Sequence, residues 1–485
     1  MSNAIEFRLN GKPIRVDAVS PNTTLLEWLR ASGLTGSKEG CAEGDCGACS
    51  VAITDRDARG RRCYRAINSC LVPLPLMTGR DIITVEGVAG EKMHPVQQAM
   101  VDNFGSQCGY CTPGFIMSLF EGYYRKDLKT AAQLDEQLCG NLCRCTGYRA
   151  IRDAAADALA LRNGADNFDE RLKTAKTRLA AARYVFEGEK FLRPTSLAKL
   201  FAVMAENPQA RLIAGATELG LEITKKFRKF PVLISLEAIP ELTAMTSTES
   251  EWTIGAATTL TGLDDTIGAE YPELREMLLV FGSRQIRNRA TLGGNLVTAS
   301  PIGDSAPVLL ALEARVVIAN ADGERILPIE EFFVSYRKTA LHPGEILKAV
   351  LLPRIAAATR SIRRFYKASK RREMDISTVA GAFAVRLSAG GMIEQARVAY
   401  GGVAALPMRA RATEQALLGK PWSVQTCEEI MPTLAGEFVP ISDVRGSASY
   451  RQALIETLLL KFFTDETARV ASKPIARWLS EPEKS

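Results

Sequence analysis

An α+β protein of several domains is predicted, on three observations. The chain has 485 residues, enough for roughly three domains. Ten of its eleven cysteines lie in its first third. The hydrophobic pattern also changes character along the chain. Short alternating runs come first, helical spacing starts at Pro95, mixed strand and helix patterns start at Phe191, and a further change falls around 360. The net charge of +6 is small for this length and gives no nucleic-acid signal. No apolar run reaches about 18 residues, so no membrane span is expected. The N-terminus, Met1-Ser-Asn-Ala-Ile-Glu-Phe-Arg-Leu, has no basic segment followed by an apolar one. A cytoplasmic location is expected from this, and there cysteines serve as ligands more often than as disulfides. With only two histidines, His94 and His342, His-based triads and His-rich metal sites are excluded in practice.

Phe7-Arg-Leu9 and Ile14-Arg-Val16 flank Asn10-Gly11, a hairpin turn signal. A helix follows at about 24–32, with Thr24 as cap and Leu25, Leu26, Trp28 and Leu29 on its buried side. Strands are expected at Ser50–Ile53, before Cys70, and at Ile82–Val85, giving a small β-grasp sheet with one helix. Four helices come next. The first has Pro95 at its first position, the second is capped by Thr112-Pro113, the third opens at Thr130, and the fourth spans about Ala150 to Leu161. Residues 162–190 are charged and Ala-rich, beginning with Asn163-Gly164, and read as a partly helical linker. Leu212-Ile213-Ala214-Gly215-Ala216-Thr217-Glu218-Leu219 is a short apolar strand breaking into a Gly turn. The segment from Arg287 to Asp304, rich in Gly, Thr, Ser and Asn, has the backbone and hydroxyl donors that suit a pyrophosphate. Neither run has G-x-G-x-x-G spacing, so a Rossmann site is not supported. Strands at Val316–Ala319 and Ile346–Leu352 complete this region. Strands at Thr378–Arg386 and Arg397–Gly401, with helices near 411–418 and 449–462, make a small α+β C-terminal domain. The expected organisation is therefore 1–90, 91–165, linker 166–190, 191–360 and 361–485.

The cysteines carry the chemistry. Cys41, Cys46 and Cys49 stand at C-x4-C-x2-C spacing in a Gly-rich loop, and Cys70 follows one supersecondary unit later. That is the plant-type pattern of a 2Fe–2S cluster. Gly40, Gly44 and Gly47 let backbone N–H groups approach the sulfurs. A second set, Cys108-Gly-Tyr-Cys111 and Cys143-Arg-Cys145, would place four thiolates at the facing tips of two helical hairpins. A structural zinc site is the competing reading, but zinc ribbons pair two C-x2–4-C knuckles, which neither set does. Cys63, Cys139 and Cys427 fit neither set and read as buried free thiols; Cys63 is the local competitor of Cys70 as fourth ligand.

Gln107-Cys-Gly-Tyr-Cys-Thr-Pro-Gly114 and Gly140-Asn-Leu-Cys-Arg-Cys-Thr-Gly-Tyr-Arg149 resemble the iron–sulfur part of the molybdenum hydroxylases, the xanthine dehydrogenase family. Residues 191–360 resemble its FAD domain, of the vanillyl-alcohol-oxidase type. Tyr366–Ile376 and Gly401–Arg409 resemble its C-terminal flavoprotein domain. Nothing resembles the large molybdopterin-binding domains, so the resemblance implies a small subunit whose molybdenum subunit is a separate chain. By position it implies that Cys41, Cys46, Cys49 and Cys70 hold the cluster nearer the flavin, and Cys108, Cys111, Cys143 and Cys145 the cluster nearer molybdenum. Gln107 would face the pterin of the partner. FAD would be held by Leu212 to Leu219, by Thr291, Leu292, Gly293, Gly294 and Asn295, and by Asp304, Leu347 and Lys367, with Phe281 against the isoalloxazine ring. Phe281 and Leu347 read equally well as core packing; for Lys367 the competing reading is a solvated face of a basic run, with the resemblance favouring cofactor contact.

The implied activity is xanthine or hypoxanthine hydroxylation at molybdenum, with electrons passing through two 2Fe–2S clusters to FAD and on to NAD, in a heterotetramer of two heterodimers. Oxygen is the alternative acceptor. An aldehyde or N-heterocycle hydroxylase would share the plan. A hydroxybenzoyl-CoA reductase flavoprotein would carry extra cysteines that the FAD region here lacks. A stand-alone electron carrier or redox sensor would have no molybdenum partner.

Overall fold

The structure is a computed structural model that describes residues 3–162, 164–354 and 361–471. The expected boundary at 360 and Asn163 lie outside the described residues, as does the end of the C-terminal domain.

The first sheet has five strands in the order Lys12–Val16, Ile5–Leu9, Asp81–Ile83, Ser50–Arg56, Arg62–Asn68. Ile5–Leu9 pairs antiparallel with its hairpin partner and parallel with Asp81–Ile83, the mixed centre of a β-grasp. Its alternation is Ile5, Phe7 and Leu9 buried, Glu6 and Arg8 exposed. The buried face receives helix Leu25–Ala31, which Thr24 and Glu27 start with a reciprocal capping box.

The helical unit comprises Pro95–Asp102, Thr112–Tyr124, Ala131–Leu138 and Arg149–Ala160. Thr112-Pro113 does not cap the second helix. Cys111 occupies the N-cap position, Thr112 is already helical, and its hydroxyl pairs with Ser106 at 2.8 Å. Residues 166–190 are also more than a linker. Asp166 caps helix Asn167–Thr174, and Ala182–Phe186 is a strand. Apolar side chains between charged ones explain the strand: Tyr184 is buried, donates to the Val19 carbonyl at 2.7 Å, and accepts from the Val19 N–H at 3.1 Å.

That strand opens a four-stranded sheet in the order Ala182–Phe186, Glu189–Arg193, Val232–Ser235, Arg211–Ile213. A five-stranded sheet follows in the order Met245–Ser247, Glu251–Gly255, Ile346–Pro353, Arg315–Ala319, Glu324–Pro328. Between its strands Glu251–Gly255 and Arg315–Ala319 lie short helices, including Arg284–Arg287, Leu292–Val297 and Ser305–Ala311. The last unit is an antiparallel sheet of Ser361–Ala368, Val379–Leu387, Ile393–Gly401 and Met408–Arg409. Helices Arg411–Leu417, Val424–Ala435 and Ala448–Ala471 follow it.

The units are locked together by Glu121, whose side chain is fully buried. It sits on helix Thr112–Tyr124 yet accepts from Arg284 Nε at 2.8 Å, from Asn288 Nδ2 at 3.2 Å, and from the Ala66 N–H at 3.1 Å. Burial alone would raise this carboxyl; Arg284 and Arg65 outweigh it and hold it below the usual range.

Candidate functional site

Two thiol centres emerge, together with the segments expected to hold a flavin. Cys41 and Cys46 face each other: the Cys41 N–H points at Cys46 Sγ and the Cys46 N–H at Cys41 Sγ, both at 3.3 Å. The Glu43 N–H also points at Cys41 Sγ, at 3.4 Å. Cys49 meets Cys70, both 2 % exposed, in a second thiol pair. In the other set Cys108 and Cys145 lie 3.5 Å apart, and Cys111 pairs with Cys143. The Cys143 sulfur accepts from Thr146 Oγ1 at 3.2 Å. Among the described residues no three His, Cys, Asp or Glu side chains converge on one ion. Thiols meeting two by two fit a dinuclear cluster, with two thiolates to each iron, rather than a single tetrahedral zinc.

Gly40 lies against a sulfur as expected, since a Cβ there would fall 2.7 Å from Cys46 Sγ, whereas Gly44 abuts Leu71 and Gly47, at φ +67°, makes room for the Gly140 carbonyl, where a Cβ would lie 2.2 Å away. Cys63 is not a ligand competitor. It sits at the far end of strand Arg62–Asn68, and burial pushes its thiol up to about 12. Burial likewise pushes Cys139 to about 11 and Cys427 to about 12, so all three stay protonated near neutral pH.

The first centre packs against the region expected to bind flavin, with Cys49 and Cys70 buried and Cys41 and Cys46 half-buried. Lys225 Nζ donates to the Cys41 carbonyl at 2.8 Å and Thr224 Oγ1 to the Ala42 carbonyl at 2.7 Å. Both follow the helix Leu219–Thr224 or end it, directly after the run Leu212 to Leu219. Gly220 is pressed on Leu71, the neighbour of Cys70; a Cβ there would lie 2.4 Å from the Leu71 carbonyl.

The first expected phosphate loop packs on the residues just ahead of the second. Gly215 abuts the Arg289 carbonyl, where a Cβ would lie 1.7 Å away. Ala216 turns through φ +70°. Thr291 caps helix Leu292–Val297 through the Gly294 N–H at 3.1 Å, leaving Gly294 exposed beside Asn295. Asp304 and Lys367 come together from distant segments. Lys367 Nζ donates to Asp304 Oδ2 at 2.9 Å and to the Val280 carbonyl at 2.9 Å. Ser377 Oγ donates to Asp304 Oδ1. Lys367 is thus no solvated cation: its side chain is 4 % exposed. Leu347 is buried in the core of the five-stranded sheet, with Phe281 partly buried against the same cluster. A cleft of about 800 Å³, lined by Arg80, Glu237, Thr259 and Arg289, takes in Thr291 but none of residues 212–219.

Sequence reasoning missed the polar residues that join the units: Glu121, Arg284, Asn288, Asn141 and Gln285. Glu121 was the legible one, a lone carboxylate following Phe115, Ile116, Leu119 and Phe120 on an apolar helix.

Comparison with known proteins matches this architecture piece by piece. Residues 7–74 match a 2Fe-2S iron-sulfur cluster binding domain and 84–156 a 2Fe-2S binding domain. Residues 185–355 match the FAD binding domain in molybdopterin dehydrogenase, and 364–465 the CO dehydrogenase flavoprotein C-terminal domain. This chain carries the iron–sulfur and flavin domains of a molybdenum hydroxylase. Its curated relatives include xanthine dehydrogenase of Emericella nidulans, 33 % identical over 97 % of this chain, and xanthine dehydrogenase 2 of Arabidopsis thaliana, 34 % identical over 91 %. The chain spans 39 % and 38 % of those proteins. A solved carbon monoxide dehydrogenase chain from Hydrogenophaga pseudoflava superposes with a TM-score of 0.54 at 27 % identity, covering 60 % of this chain and 99 % of that one. Quinoline 2-oxidoreductase from Pseudomonas putida 86 gives 0.53 at 26 %, covering 58 % and 97 %. As a molybdenum hydroxylase electron-transfer chain, it has the domains that bind two 2Fe–2S clusters and FAD. No described helix is long and apolar enough to cross a membrane.

Proposed function

We propose that this chain takes electrons from a molybdenum centre on a separate partner chain and delivers them to NAD, serving xanthine or hypoxanthine hydroxylation. The observation that carries the relay is the asymmetry of the two thiol centres. Cys49 and Cys70 are buried, whereas Cys108 and Cys145 are exposed. Close to the exposed pair in sequence, Phe104 at 83 % exposure and Val101, Tyr110, Leu142 and Tyr148 are exposed apolar or aromatic side chains. A partner docking there would meet Gln107 and the second centre first.

When bound, the clusters carry single electrons and the flavin converts between one- and two-electron steps. The chain's own residues order them. Cys108, Cys111, Cys143 and Cys145 hold the entry centre, and Cys41, Cys46, Cys49 and Cys70 the inner one. Leu212 to Leu219 and Thr291 to Asn295 would hold the pyrophosphate, and the buried Asp304–Lys367 pair would supply a polar contact for the flavin. The purine assignment is supported by similarity to xanthine dehydrogenases over nearly the whole chain. Two such units pairing as a heterotetramer belong to the same proposal. The test is to purify the complex with its partner, add xanthine anaerobically, and record the visible spectrum. Bleaching of the flavin and iron–sulfur bands, followed by recovery on adding NAD, supports the proposal. Bleaching by dithionite but not xanthine would leave the relay and overturn the purine substrate.

A further inference from the structure

The two thiol-bearing loops touch through a polar knot that ligation does not need. Asn141 is 2 % exposed. Its Nδ2 donates to the Gly47 carbonyl at 3.2 Å. Its Oδ1 accepts from Ser118 Oγ at 2.5 Å and from Gln285 Nε2 at 2.8 Å. Gln285, 1 % exposed, also donates to Ser118 Oγ at 2.8 Å. The backbone beside this knot joins the two centres: the Leu142 N–H donates to the Cys46 carbonyl at 3.0 Å. One end of that hydrogen bond is a ligand-bearing residue, Cys46, and the other is the neighbour of Cys143.

Gln285 comes from neither iron–sulfur unit. It lies on helix Arg284–Arg287, four residues after Phe281. Gly140 is a glycine because Gln285 stands there; a Cβ would fall 2.2 Å from Gln285 Oε1. The knot fixes which way each amide faces: reversing Gln285 would set its Oε1, which has no partner here, against Asn141 Oδ1, and reversing Asn141 would set its Oδ1 against the Gly47 carbonyl. Mere space-filling would be served as well by apolar side chains of similar size.

We propose that Gln285, acting through Asn141, is a positioning residue for electron passage between the two iron–sulfur centres, so that the flavin domain sets the spacing of a cofactor pair it does not bind. This rests on the relay reading above. Without the Gln285 amide, Asn141 loses the bond that turns its Nδ2 toward Gly47, and the Cys46–Leu142 contact loosens.

The test uses the complete chain with its clusters and flavin, comparing Gln285→Met and Asn141→Leu with the unsubstituted protein. Two quantities are read. One is the magnetic splitting between the reduced clusters in low-temperature electron paramagnetic resonance. The other is the rate at which an electron placed on one cluster reaches the other after a pulse of photoreductant. Both variants are expected to keep full cluster signals, to change the splitting, and to slow the transfer about tenfold or more. Unchanged splitting and rate in Gln285→Met would overturn the proposal, and that variant alone decides if Asn141→Leu loses iron. No splitting in the unsubstituted protein would overturn the relay reading beneath it.

Discussion

Replacing Glu121 by Gln removes one charge and no volume, and it should unfasten three units at once. The side chain is fully buried and accepts from Arg284, Asn288 and the Ala66 N–H. The Arg284 side chain is 6 % exposed, and Glu121 is its only ion-pair partner among the described residues. The neutral amide of Glu121→Gln would leave that guanidinium charged, buried and unpaired, and would point an N–H donor at the Arg284 and Asn288 donors. Breaking a buried pair on one side costs about 3–5 kcal/mol. Arg65 cushions part of this, because it keeps Asp265 at 2.7 Å while standing 3.9 Å from Glu121. The expected loss is therefore toward the lower end, about 3 kcal/mol. Urea denaturation of Glu121→Gln, Arg284→Met and the double variant measures it. The double variant should recover most of the loss, because Arg284→Met removes the buried guanidinium that Glu121→Gln leaves unpaired. A Glu121→Gln variant within about 0.5 kcal/mol of the parent, as for an ordinary surface substitution, would refute the reasoning. So would a double variant as unstable as the sum of the two.

Three further outcomes are expected. Burial holds the His94 imidazole down at about 4 from its ordinary 6.5, while its Nδ1 accepts from the Val96 N–H and its Nε2 meets the Tyr124 hydroxyl at 2.9 Å. A depressed folded value means stability present above pH 6.5 and lost as pH falls through 4, by on the order of 3 kcal/mol; melting of the protein from pH 7 to pH 4 should show this loss, and His94→Gln should flatten it. Gly215→Ala forces a Cβ onto the Arg289 carbonyl, so flavin affinity should fall about tenfold to a hundredfold, for a strain of about 1–3 kcal/mol, with iron–sulfur absorbance intact. Cys70→Ser should cost one cluster in iron analysis and magnetic resonance, whereas Cys63→Ser should keep both.

The sequence made the thiol centres legible because ligation fixes spacing along the chain: C-x4-C-x2-C and C-x-C are local facts. Strands and helices with clean periodicity were legible for the same reason, as in Ile5–Leu9 and Pro95–Asp102. The strand Ala182–Phe186 was lost among charges although its partner strand, Glu189–Arg193, follows directly, because among its residues Tyr184 alone is buried. The basic neighbours of Lys367 kept a solvated face open as the competing reading to a flavin contact. Only the fold brings Asp304 to Lys367 from 63 residues away. Glu121, Asn141 and Gln285 act across units, and no local pattern announces a contact made over more than a hundred residues, such as Asn141 with Gln285.

The most direct test of the account is a reductive titration of the isolated chain under anaerobic conditions, followed by optical and low-temperature magnetic resonance spectra. The account predicts two distinct cluster signals, each integrating to one spin per chain, and uptake of one electron per cluster and two at the flavin. A single cluster signal, or metal present without any paramagnetic signal on reduction, would contradict it.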